Sequence, residues 1–344
     1  MKAKIKDIAK HAGVSTGTVD RVIHNRGRVS SHTYNKVKQA MRELRYKPDI
    51  VARTLAKKEK SLLKILIPYP YQDFYWKMIR NGIEQGLTEF APYRIKGQTV
   101  FYDMNDPGHF ESIAQQILQE KPHAILIGSE FYRQTIDLVR QCSEQDIQCI
   151  VMNAEIQSIP VLTYIGINSY VVGELVGRII RSTRGCSSVM VVHTTENIDN
   201  TIHLKNKELG LFDALDQSSL SFQKESVIFS NKKNSEMDSS SLAAIIKEKE
   251  IDTVYVTTSK AYMFANALKN QFPDLYIIGH DLIDQNISLL KQEQIDLLID
   301  QSGYRMGFLS VKSWVDHHIL EKEISEKQYL PLDIIYKENL PFYI

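Results

Sequence analysis

Two groups of side chains in this sequence have types and spacing suited to chemistry. The first is basic. Arg21, Arg26, Arg28 and Arg53 lie in the first 60 residues, which hold 16 Lys and Arg against 5 Asp and Glu. The remaining residues hold 26 basic against 36 acidic, so a formal net charge of +1 hides a basic head on an acidic body. Cations at that density neutralise phosphates, and nucleic acid is the polyanion they suit. A solvated basic tail is the bland alternative, but a tail would lack the helical spacing described below. The second group is aromatic and polar. Tyr69-Pro70-Tyr71-Gln72-Asp73-Phe74-Tyr75-Trp76 packs five aromatics into eight residues. Tyr71 and Phe74 suit stacking on a sugar or another flat ligand, and Asp73 or Gln72 suits polar contacts to it; ordinary packing is the alternative. Asn153, Asn168, Thr258 and Asp281 recur at the ends of apolar runs, where amides and carboxylates can read hydroxyl groups.

The patterns of an enzyme are missing. His193, His203 and His280 accompany no GxSxG nucleophile and no HExxH spacing. The glycines nearest the first apolar run, Gly82 and Gly86, fall inside a helical stretch, so there is no phosphate-binding loop. Cys142, Cys149 and Cys186 form no CxxC pair, which argues against a zinc site or a disulfide framework and fits a reducing cytoplasm. No cofactor and no metal are expected. No apolar run approaches the roughly 18 residues of a membrane span. The start, Met1-Lys2-Ala3-Lys4-Ile5-Lys6, is not a secretory signal.

The elements that must hold these side chains follow from periodicity. Ile5, Ile8, Ala9 and Ala12 share one helix face; Gly13 breaks the pattern, and Ser15 can cap a second helix from Thr16 to Ile23. A third helix fits Ser31 to Leu44. Two short helices around a Gly-containing turn make a helix-turn-helix, and so few apolar residues bury only a small core. From Leu62 onward, short apolar runs alternate with helical stretches. The runs are Leu62–Pro68, Thr99–Tyr102, Ala124–Ile127, Cys149–Met152, Val189–Val192, Val227–Phe229, Thr253–Thr257, Tyr276–Ile278 and Leu297–Ile299. That alternation predicts parallel sheets covered by helices, and nine strands predict two lobes. The expected fold class is a small all-α helix-turn-helix head plus an α/β two-lobed body with parallel sheets.

The segment Lys4-Ile5-Lys6-Asp7-Ile8-Ala9-Lys10-His11-Ala12-Gly13-Val14-Ser15-Thr16-Gly17-Thr18-Val19-Asp20-Arg21-Val22-Ile23 resembles the headpiece of the LacI/GalR family of transcriptional regulators. The resemblance continues through Arg28-Val29-Ser30, Lys36-Val37, Met41–Pro48 and Ala52-Arg53-Thr54-Leu55-Ala56. The body resembles the periplasmic binding protein-like type I effector domain of that family. Its landmarks are Ile165-Gly166-Ile167-Asn168, Gly279-His280-Asp281, and Gln301 before a helix at Met306–His318.

The resemblance implies a division into head (1–48), hinge helix and linker (49–60) and body (61–344). Lobe 1 would span about 61–165 and 302–328, and lobe 2 about 166–301 and 329–344. Thr16, Gly17 and Thr18 would meet the major groove, with few direct base contacts because the first two are small. Arg21 matches the family's arginine and would grip guanine or, alternatively, a phosphate. Asp20 could accept from cytosine or hold Arg21. Arg26 and Arg28 would neutralise phosphates. Leu55, flanked by Arg53 and Ala56, matches the wedge that enters the minor groove of the operator, although core packing is its bland alternative. Asp281 and Gln301 match effector-binding positions. Lys207 stands where arginine is usual and Asn153 where aspartate is frequent, so Lys207 could meet a carboxylate or phosphate. The implied protein is cytoplasmic and homodimeric. It would bind double-stranded operator DNA and a small-molecule effector, a sugar or sugar derivative, with no membrane partner. Repression of carbohydrate-related genes is the leading expectation, with activation or nucleoid-type binding as alternatives.

Overall fold

Twelve helices and twelve strands follow the spacing of apolar residues in the described part of the chain. The computed structural model describes residues 3–23, 27, 29–44, 46, 61–157, 159–183, 186–218, 221–230 and 239–344. The chain divides into two units, Met1–Lys57 and Lys58–Ile344. The proposed hinge and linker, with Arg53, Leu55 and Ala56, and the loop residues Arg26 and Arg28, lie outside the described residues.

In the first unit α1 (Ile5–Ala12), α2 (Thr16–Ile23) and α3 (Ser31–Glu43) pack around Ile8, Ala9, Val19, Val22, Val37 and Ala40. Gly13 ends α1 at φ 67°, a left-handed conformation in which a Cβ is strained, and the Val14 N–H donates to Ala9 O at 3.0 Å. Ser15 Oγ accepts the Thr18 N–H at 3.1 Å, and Ser30 Oγ accepts the Thr33 N–H at 3.3 Å. Each satisfies a backbone donor that the first turn of a helix leaves open.

The second unit holds two six-stranded sheets. Sheet 1 contains β1 (Ser61–Pro68), β2 (Ile95–Tyr102), β3 (Ala124–Ser129), β4 (Gln148–Asn153), β5 (Thr163–Gly166) and β11 (Lys327–Tyr329), in the order β11-β5-β4-β3-β1-β2 and parallel throughout. Sheet 2 contains β6 (Ser188–Thr194), β7 (Gln223–Phe229), β8 (Thr253–Val256), β9 (Tyr276–His280), β10 (Leu297–Asp300) and β12 (Asp333–Ile335), in the order β12-β10-β9-β8-β6-β7. Only β12 runs antiparallel. The central strands β3, β6, β8 and β10 are buried along their whole length, as continuous apolar runs require when helices cover both faces.

The chain passes between the sheets three times. It leaves β5 for α7 (Ser169–Ser182), leaves β10 for α12 (Gly303–Trp314), and leaves β11 for β12, so the passages lie at 167–168, 301–302 and 330–332. Lobe 1 closes by packing α12 on α4 (Phe74–Glu89), and lobe 2 by packing α7 on α8 (Ile202–Asp216). Both pairs touch backbone to backbone. A Cβ on Gly173 would overlap Lys207 O, and one on Gly210 would overlap Tyr170 O; Gly82 and Gly307 play the same part between α4 and α12. The remaining helices are α5 (Pro107–Gln119) and α6 (Tyr132–Glu144) in lobe 1, and α9 (Ser239–Glu248), α10 (Ala261–Leu268) and α11 (Asp284–Lys291) in lobe 2.

Candidate functional site

The carboxyl ends of both sheets open onto one cleft of about 780 Å³, its open mouth included. In parallel α/β folds this is where strand ends leave backbone groups unpaired and loops free to carry polar side chains. Lobe 1 supplies Asp73 and Tyr75 after β1, Asn105 after β2, Glu130 after β3 and Asn153 at the end of β4. Lobe 2 supplies His203 and Lys207 from α8, Thr258 and Lys260 after β8, and Asp281 after β9, with Gln301 at a crossing. Asn153 and Asp281 adopt φ of 71° and 67°. Short amide and carboxylate side chains tolerate this left-handed turn at a strand end better than most.

Polar contacts clasp the two walls together. Asp73 caps α4 by accepting the Tyr75 N–H at 2.9 Å, and its same oxygen accepts from Ser259 Oγ of lobe 2 at 2.5 Å. Asn200 Oδ1 accepts the Arg133 N–H at 3.0 Å, while its Nδ2 donates to Gln134 Oε1 at 2.8 Å. A buried hydrogen-bonded chain joins Lys207, Gln301 and Asp281. Lys207 Nζ donates to Thr257 O at 2.8 Å and to Gln301 Oε1 at 3.0 Å, and Gln301 Nε2 donates to Asp281 Oδ2 at 2.7 Å. Burial lowers the Lys207 ammonium to about 8, against the pull of Asp281 and Glu130. Burial, reinforced by Asp300, raises the Asp281 carboxyl well above the usual carboxylate range, although Lys207 opposes the rise.

Glu130 and His203 face each other across the cleft at 3.9 Å. Glu130 Oε1 also accepts from Asn153 Nδ2 at 3.1 Å. Burial, with Asp73 nearby, pushes the Glu130 carboxyl up to about 8, so at neutral pH it is mostly protonated and can donate a hydrogen bond. Burial holds the His203 imidazole down to about 3, and its Nδ1 has no partner among the described residues. The other two histidines noted in the sequence are structural. His193 joins Thr257 Oγ1 at 3.0 Å and Glu208 at 2.7 Å, and His280 Nε2 meets Tyr255 OH at 2.8 Å.

Of the effector residues expected from the sequence, Asp73, Asn153, Lys207, Thr258, Asp281 and Gln301 line this one cleft. Tyr71, Phe74 and Asn168 do not. Tyr71 is 70% exposed and stacks on Tyr69 with ring centroids 5.1 Å apart. Phe74 is 38% exposed on the first turn of α4. Asn168 caps α7 by accepting the Val171 N–H at 3.2 Å. Sequence reasoning passed over Tyr75, Glu130, His203 and Lys260. Glu130 follows β3 as Asn153 ends β4, so applying the strand-end rule to every run would have found it.

In the first unit, Thr16 and Gly17 are exposed and Thr18 half-buried on the first turn of α2, while Asp20 and Arg21 are exposed further along. Val19 and Val22 pin the opposite face to the core. Packing does not demand glycine at position 17, because an added Cβ would meet only Ser15 Oγ at 3.8 Å. Among the described residues, no helix is long and apolar enough to cross a membrane.

Comparison with known proteins agrees with both units. Residues 4–49 match the family of bacterial regulatory proteins, lacI family, and residues 65–321 match the periplasmic binding protein domain. The HTH-type transcriptional regulator MalR of Streptococcus pneumoniae is 22% identical over 98% of this chain and 100% of its own length. The sucrose operon repressor of Pediococcus pentosaceus is 44% identical over 38% of each chain. A solved structure described as a LacI transcriptional regulator from Bacteroides fragilis superposes with a TM-score of 0.78 at 23% identity, covering 83% of this chain and 100% of that one. At that identity it speaks for the fold alone. With a regulatory head, a matching body and a full-length regulator among its relatives, this chain belongs to the LacI family of bacterial transcriptional regulators, its body being a periplasmic binding protein domain.

Proposed function

We propose that this chain is a sugar-responsive regulator that binds a palindromic operator as a homodimer and represses carbohydrate-related genes. The observation that carries the reading is the cleft. Asp73, Asn153, Asp281 and Gln301 bring carboxylates and amides from both lobes to one space, which is chemistry suited to sugar hydroxyls. The name of one relative, a sucrose operon repressor, supports a carbohydrate trigger.

The head supplies affinity and register. Arg21, exposed on α2, reads a base in each half-site, and the excess of basic residues neutralises phosphates. One small head offers few contacts, so two heads on a two-fold site multiply them. Leu55 is the proposed minor-groove wedge, on the sequence resemblance alone. An effector acts only through its different affinity for two lobe arrangements, and those arrangements differ in how the two heads are spaced. Binding-site selection followed by footprinting tests the reading. One protected palindrome, released when a bound sugar is added, is the expected result. Broad coverage without a preferred sequence would refute it.

A further inference from the structure

One charged group in the cleft is left without a match. Lys260 is 7% exposed and lines the cleft just before the first turn of α10, whose positive end adds to its field. Its Nζ makes no hydrogen bond or ion pair with any described residue. The acidic groups that face it are Asp73, Glu130 and Glu196. Each already accepts from another donor. Asp73 holds Tyr75 N–H and Ser259 Oγ, Glu130 holds Asn153 Nδ2, and Glu196 holds Ser230 Oγ at 2.8 Å. The second lysine of the cleft, Lys207, donates to Thr257 O and Gln301 instead. The ammonium opens onto the cleft with no protein acceptor, so an acceptor carried by a ligand can meet it there in a charge-assisted hydrogen bond.

We propose that the effector is a monosaccharide bearing one carboxylate, and that Lys260 receives that carboxylate. The proposal rests on the sugar-cleft reading and narrows it. A neutral sugar would leave the ammonium with hydroxyl acceptors only, which are weaker than a carboxylate. A phosphate would bring close to two negative charges beside Asp73 and Glu196, with one cation free of protein acceptors to meet them. An amino sugar would add a second cation beside Lys260. A further group in the cleft suits an acceptor-rich ligand, because the Glu130 carboxyl is a donor at neutral pH. The lysine expected from the sequence to meet an anion was Lys207; this proposal gives that role to Lys260, which follows β8.

The test is calorimetry and thermal shift on the full chain with four probe classes. These are D-glucuronate, D-galacturonate and D-gluconate; D-glucose and D-galactose; glucose 6-phosphate; and D-glucosamine. Binding is expected from the acid class, ahead of its neutral parents. Lys260→Met should weaken the bound acid about 10- to 100-fold, as loss of a charged hydrogen bond does, and weaken any neutral sugar by a clearly smaller factor. Lys260→Arg should recover most of the loss. Tighter binding of neutral, phosphorylated or amino sugars, or an unchanged acid affinity in Lys260→Met, would overturn the proposal while the sugar-cleft reading stands. If no sugar of any class binds, that reading falls and this inference with it.

Discussion

Replacing Glu130 with Gln should remove a pH dependence from the stability of the body. The folded chain holds this carboxyl at about 8, whereas exposed to water it titrates near 4.5. Between those values the folded state keeps a proton that the unfolded state has lost. Stability from this group is therefore full below about 4.5 and is lost as pH rises through 8. The slope is at most about 1.4 kcal/mol per pH unit, and relaxation around the buried group lowers it. His203, held down to about 3, works in the opposite direction from pH 3 to 6.5, because it stays neutral in the folded chain while the unfolded one takes up a proton. Both proteins carry His203, so the difference between them isolates Glu130. Gln keeps the acceptor for Asn153 Nδ2 and carries a donor where the protonated acid has one. The melting temperature of Glu130→Gln relative to wild type should rise between pH 5 and 7.5 by roughly 2 kcal/mol in free-energy terms, or about 3 °C for a unit of this size. Urea unfolding at the same pH values gives the free energy directly. A difference that stays constant across that range would mean Glu130 is ionised in the folded protein, and the argument for a donor in the cleft would fail.

Other perturbations probe separate parts of the chain. Gly173→Ala drives a methyl into Lys207 O, so α7 and α8 must separate; unfolding should show a loss of about 1–3 kcal/mol, and ligand affinity should fall with it because Lys207 is displaced. Gln301→Ala removes the link between Lys207 and Asp281 and should abolish the ligand-induced thermal shift while operator binding without ligand remains measurable by gel shift. Ser15→Ala removes the cap of α2 and should cost the head about 1 kcal/mol, read as a lower melting point by circular dichroism. Arg21→Ala should relax sequence preference by about 1–3 kcal/mol at one base position of each half-site; an equal loss on every DNA sequence would make Arg21 a phosphate contact.

The head was legible because its few helices carry their whole signal locally. Ile5, Ile8, Ala9 and Ala12 mark a face, and Gly13 and Ser15 mark an end and a start. In the body the nine apolar runs all became strands; those at the sheet centres, such as β3, β6, β8 and β10, are buried on both faces and so apolar throughout, while β2 and β7 lie at sheet edges and are partly exposed. The short strands were not visible. Lys327-Gln328-Tyr329 forms β11 at a sheet edge with an exposed, polar pattern, and only its neighbour β5 identifies it. The cleft was half legible. Strand-end polar residues were readable by position, but the aromatic cluster misled, because side-chain type does not say which way a loop turns. Asp73 bends inward as the cap of α4, which leaves Tyr71 outside on Tyr69. Glu130 and Lys260 stood beside strand ends without a motif, and their significance comes from burial, which emerges only when the lobes meet.

The three chain passages have a mechanical consequence. A single connecting strand would let one lobe swing and twist freely about the other. Three roughly side-by-side connections resist twisting, because rotation about their common direction must wind them around one another. Bending asks only for small dihedral changes shared among 167–168, 301–302 and 330–332. The backbone contact of α7 with α8, and of α4 with α12, stiffens each lobe, so little of the motion is absorbed internally. The body is thus close to a joint with one soft coordinate. Whatever fills the cleft can report its presence only as a change of that one angle, and any signal it sends along the chain is a scalar.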